Sequence, residues 1–130
     1  MGIKSLDIGM SHRGRLGVLS MVAQKPLHEI FSEFDETSYS KIIDKPYLRN
    51  YEGDVTYHAS ASSKVRYADG NEIRINVSPN SSHHESINPV LLGSVRAKID
   101  QRNWDFNTIL PVLVHGDASI CGQGIVYETQ

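Results

Sequence analysis

Residues able to do ionic or proton chemistry gather in four short stretches of this 130-residue chain. The last stretch, HGDASICGQG (115–124), sets Asp117 between small residues directly after the apolar run ILPVLV (109–114). A carboxylate at the end of a buried strand is costly unless water, a helix N-terminus, a basic side chain or a metal ion meets it. Gly116, Gly122 and Gly124 let backbone approach a bulky anion, and a helix following the strand offers N–H groups to it. A carboxylate beside a diphosphate needs a divalent cation between them, and magnesium is commonly held that way. Capping of the following helix is the plainer use of Asp117.

The chain also carries six histidines. His12, His58, His83, His84 and His115 fall at element ends or in loops, and His28 falls on an amphipathic helix. Imidazoles near a reacting carboxylate bind it or move protons. A zinc site is the competing use, although no pair has helical ligand spacing and Cys121 has no second cysteine. Arg13 and Arg15, in SHRGR, open a helix against its macrodipole. A phosphate or substrate carboxylate nearby would resolve that conflict, as would plain solvation.

Elements must position these groups. SHRGRLGVLSMVAQK (11–25) reads as a helix capped by Ser11, with Leu16, Leu19 and Ala23 on one face. Pro26 opens a second helix, PLHEIFSEF, with Leu27, Ile30, Phe31 and Phe34 together. Residues 35–53 read as a long polar loop, and DVTYHAS (54–60) as a short extended segment. ADG (68–70) is a turn before the alternating strand EIRINVS (72–78), and residues 79–86 form a polar loop. Asn88 and Pro89 then suit the N-cap and first position of a third helix with Leu91, Val95 and Ile99 inward. TILPVLVHG (108–116) has the composition of a parallel strand buried on both faces, against which Pro111 is an objection. A new helix is expected from about Gly116–Cys121. Helices between such strands predict an α/β fold, a parallel sheet flanked by helices. Arg96, Lys98 and Arg102 read as a solvated helix face, and Cys121 as a small buried residue.

The totals exclude several classes. Charged residues are 22%, apolar ones 39% and the net charge −2, so no electrostatic reason exists to expect nucleic acid or an anionic membrane. The longest apolar run is far too short to span a bilayer. A single cysteine excludes an intrachain disulfide and suits a reducing compartment. MGIKSLDIGM reads as neither signal peptide nor Arg-rich leader. Motif-dense sequence close to both ends predicts a single partial domain, residues 1–130, from a larger protein.

Together IGMSHRGRL, GDVTYHAS, PNSSHHE…NPV…GSVRAK and HGDASICGQGIVYET resemble, in order, the first component of 2-oxoglutarate dehydrogenase and its relative acting on 2-oxoadipate. That component is thiamine-diphosphate-dependent and decarboxylating. The resemblance runs from Ile8 to Thr129 and implies part of a thiamine-diphosphate-binding fold. It implies that Asp117 ligates magnesium, that Arg13 and Ala118 meet the cofactor, and that His12, His58, Ser82 and His83 line the substrate side. Glu85 matches the glutamate of the family's NPSHLE. It further implies a 2-oxo acid substrate, a lipoyl-bearing second component as partner, and a homodimer. The compartment would be the mitochondrial matrix in a eukaryote or the cytoplasm in a bacterium. Ser81, His84, Ser60 and Gly17 depart from the family pattern. The family's second magnesium ligand, an asparagine, and its pyrimidine-binding glutamate lie beyond residue 130, so the 130 residues alone are expected to be inactive. Two other readings are a truncated, non-catalytic remnant that only associates with other chains, and a histidine-rich metal module.

Overall fold

The computed structural model describes residues 2–32, 34, 58–79 and 83–130. The expected polar loop at 35–53 and all but the end of the segment at 54–60 lie outside them.

Among the described residues four strands form one sheet in the order β2-β3-β1-β4: β1 (Ser5–Met10), β2 (Ala61–Arg66), β3 (Glu72–Val77) and β4 (Ile109–Val114). β1 lies parallel to both β3 and β4, while β2 pairs antiparallel with β3. The α/β class is as expected, with a mixed sheet in place of a purely parallel one. The antiparallel strand arises because a short turn joins β2 to β3, and only antiparallel neighbours can be joined so tightly. In that turn Gly70 takes φ 85°, and Asp69 Oδ1 accepts the Asn71 N–H at 3.0 Å.

Side chains alternate across β1, so Leu6 and Ile8 face one side while Ser5, Asp7 and Gly9 face the other. On the first side Ile8, Ile75 and Val77 pack against Leu19 and Ala23 and against Ile30 of α2 (Leu27–Ser32). Leu19 belongs to a wide turn (Val18–Val22) that continues the short helix α1 (Arg15–Gly17). The helix therefore starts later than expected. Ser11 does not cap it; the chain first turns through Ser11–Gly14, with Gly14 at φ 76°. Of the apolar face expected on α2, Ile30 is buried, whereas Leu27, Phe31 and Phe34 are exposed.

On the other side lies α3 (Ile87–Arg102), whose residues Ile87, Leu91, Val95 and Ile99 recur every four positions and are buried. It packs close to β1: a Cβ on Gly9 would stand 3.0 Å from Ile87 Cγ1 and 3.1 Å from Leu91 Cδ2. The helix starts at Ile87, so Asn88 and Pro89 fall within the first turn rather than at its cap. A proline is tolerated there because first-turn N–H groups have no intrahelical acceptor. Asn103 ends α3 in the left-handed conformation.

β4 is where the residue pattern predicts it, but among the described residues it is the outermost strand of the sheet, with Leu110 and Val114 exposed. That correction removes the objection of Pro111, since an edge strand tolerates a missing N–H. After β4 come α4 (Asp117–Gly122) and α5 (Gly124–Thr129), separated by extended backbone at Gln123. Among the described residues no helix is long and apolar enough to cross a membrane.

Candidate functional site at the carboxyl edge of the sheet

β1, β3 and β4 run in the same direction, so their carboxyl ends share one edge. β2 runs the other way and enters from that edge, with Ala61 opposite Val77. Three chemistry-bearing stretches are thereby gathered there: Ser11–Gly14 after β1, residues 58–60 before β2, and His115–Asp117 after β4. Ligands of open α/β sheets bind outside the carboxyl ends of the strands.

The rings of His12 and His58 meet there with centroids 5.3 Å apart and planes inclined at 48°. Both residues are half-buried. Their separation in sequence is bridged by the turn after β1 on one side and the lead-in to β2 on the other.

Arg15 underlies that turn, and its side chain is fully buried. Its Nη2 and Nε donate to Ala59 O at 2.6 and 3.2 Å, its Nη1 to Met10 O at 3.4 Å, and its Nη2 also to Ser78 O. Burial lowers its pKa to about 10, so the group still carries its proton at neutral pH. The conflict expected at the start of the helix is thus resolved for Arg15 by three strand-end carbonyls, neither by solvent nor by an anion. Arg13, next to it, points to an exposed position.

Asp117 is the exposed first residue of α4, following the extended N-cap Gly116; Ala118 is exposed beside it. His115, two positions earlier, is held by Glu85, whose carboxylate contacts His115 Nδ1. Glu85 is buried in the short turn His84–Ser86 that leads into α3. Its own N–H donates to Gln123 Oε1 at 3.4 Å. Glu85 therefore ties the entry of α3 to the loop after β4 through its carboxylate, and to the junction of α4 with α5 through its backbone N–H. His83 and His84 are exposed at that entry, and Ser82 lies outside the described residues.

Two expectations away from this edge are corrected. Lys98 does not lie on a solvated face; its ammonium reaches Asp7, which is 1% exposed beneath α3. Cys121 is exposed, because α4 is short and contributes no buried side chain. The sequence reading also missed the Glu85–His115 contact, although both residues fall within the quoted motifs; a glutamate amid polar loop residues gives no sign of its burial.

Among the described residues, no three His, Cys, Asp or Glu side chains group as a metal site would require. Asp117 presents hard carboxylate oxygens in an accessible place. Magnesium takes one or two carboxylates and fills its shell with water and phosphate oxygens. The residues present fit that ion as a partial ligand set, and they do not fit the closed four-ligand set of structural zinc.

Fold and edge together define an α/β chain with His12, His58, His115 and Asp117 gathered in loops at one edge of the sheet. No protein-family model matches the chain. Nearly all of it, 98%, is similar to the 2-oxoglutarate dehydrogenase E1 component of Brucella anthropi, Brucella ovis and Brucella melitensis, with 44% identity in each case. The resemblance carried by the four motifs thus extends over almost every residue, and the chain spans 13% of the length of those relatives.

Proposed function

We propose that the chain is a segment of the diphosphate-binding domain of a thiamine-diphosphate-dependent E1 component, acting in a 2-oxoglutarate dehydrogenase complex. The whole protein would decarboxylate a 2-oxo acid, transfer the acyl group to a lipoyl-bearing second component, and work as a homodimer. Its place would be the cytoplasm in a bacterium such as those of the Brucella relatives, or the mitochondrial matrix in a eukaryote. The observation that carries this reading is the meeting of His12 and His58 at the strand edge that also bears Asp117.

Asp117 would hold magnesium, and Arg13 and Ala118 would meet the diphosphate end of the cofactor. The thiazolium supplies the electron sink for decarboxylation, while protein groups supply orientation and electrostatics. His12 and His58, with His83 and Ser82, would bind the carboxylate of the 2-oxo acid and hold or pass protons beside it. Half-burial of the imidazole pair excludes part of the water that competes for the same hydrogen bonds.

Calorimetry and kinetics on the intact protein test the two halves of this reading. Asp117→Ala should weaken magnesium-dependent binding of thiamine diphosphate by more than about 100-fold, the loss of a direct metal ligand. His58→Ala should lower turnover of the 2-oxo acid while leaving the melting temperature nearly unchanged. Wild-type turnover in a folded His58→Ala protein would overturn the role. The 130-residue chain itself should bind the magnesium–cofactor pair no more tightly than roughly millimolar, about −4 kcal/mol.

A further inference from the structure

We infer that Arg15 is a positioning residue, its guanidinium setting His58 against His12 by holding the carbonyls of Ala59, Ser78 and Met10. The inference concerns the geometry of the site, and its kinetic readout rests on the function proposed above.

The sheet's hydrogen-bond ladder ends just short of the site. In the β2–β3 pair Val77 and Ala61 are the end partners; beyond them Ser78 still donates its N–H to Ile8 O of β1 at 2.9 Å, while its carbonyl and the whole of Ala59 lie past the paired stretch. The segments that leave the sheet here carry the imidazoles, and strand pairing does not fix them. Arg15 continues the tie where the ladder stops, crossing from β1 to the end of β3 and to the residue next to His58. Ala59 O accepts from both Nε and Nη2, so this one oxygen is held by two donors of the same rigid plane.

A lysine could not do this. Its single ammonium is a point donor on a flexible stem, whereas guanidinium presents five N–H groups in a rigid plane. The left-handed turn at Gly14 precedes Arg15 directly and lets its side chain enter the sheet edge from the start of α1. His12 O accepts the Arg15 N–H at 3.0 Å, so the residue gripping the His58 segment is bonded to His12 itself. The same residue thus holds both partners of the ring pair.

The test is a mutant cycle in the intact protein, read as KM and kcat for the 2-oxo acid. Arg15→Lys should fold, raise KM or lower kcat by at least about tenfold, and add nothing further in a His58→Ala background, because groups acting through one another are non-additive. Arg15→Gln, which buries no charge, carries the same cycle if Arg15→Lys does not fold. A crystal structure of the folded variant should show the two rings moved out of contact. Additive losses, unchanged kinetics, or rings still 5.3 Å apart in the variant would overturn the inference. If instead His58→Ala alone leaves turnover intact, the proposed function falls, and the ring separation still decides the role of Arg15.

Discussion

Beneath α3 and at the carboxyl edge, the same sheet treats an aspartate in opposite ways. Asp7 is 1% exposed and is met on every side: Ser5 Oγ at 2.9 Å, Asn76 Nδ2 at 2.7 Å, and the ammonium of Lys98. Ser62 Oγ extends that network by donating to Asn76 Oδ1 at 2.8 Å. Asp117 stands exposed at the start of α4. Asp7 is answered from within the protein and serves to pin α3 on the sheet. Asp117 faces outward, where a ligand can use it. Arg15 shows that burial alone does not separate the two regions, since it is fully enclosed yet serves the edge.

Three experiments break or sharpen that contrast. The largest effect is expected beneath α3, where Lys98→Met removes the cation and leaves a buried carboxylate. Breaking such a pair should cost about 3 kcal/mol in urea denaturation, with cofactor affinity per folded molecule unchanged. Loss of cofactor binding without loss of stability would merge the two regions. Glu85→Ala should have an intermediate effect of about 2 kcal/mol, as a hydrogen bond to a charged group is lost. Glu85→Gln should recover most of that stability by still accepting from His115. The smallest effect belongs to Cys121: alkylating it in the native protein should proceed readily and change stability by less than about 0.5 kcal/mol. Reaction only upon unfolding would show that α4 is packed rather than exposed.

Periodicity made α3 and β3 legible, since Leu91, Val95 and Ile99 recur as a helix requires and Ile73, Ile75 and Val77 as a strand does; the apolar run ILPVLV did the same for β4. β2 escaped because ASSKVR has one β-branched residue and two adjacent serines, which read as loop. The edge position of β4 was hidden for another reason: an apolar run reports the faces of a strand, not its neighbours. The partnership of His12 with His58 was readable through the family resemblance alone. Arg15 could not be assigned, because its acceptors are carbonyls, which every residue possesses. The same holds for Asp7 and Lys98, whose contact joins residues separated by most of the chain.

Among the described residues β1 lies inside the sheet, and it precedes its partners β3 and β4 in the sequence. The hairpin of β2 with β3 closes locally, but β1 must wait for β3 and then for β4, about a hundred residues later, before both its edges are covered. Until then SLDIGM offers two rows of unpaired backbone groups, the template on which strands of different chains pair wrongly. Asp7 stands in the middle of SLDIGM, and a charge there opposes stacking against an apolar strand. The carboxylate that Lys98 engages in the folded protein is thus a charge set against mispairing wherever that contact is not yet made.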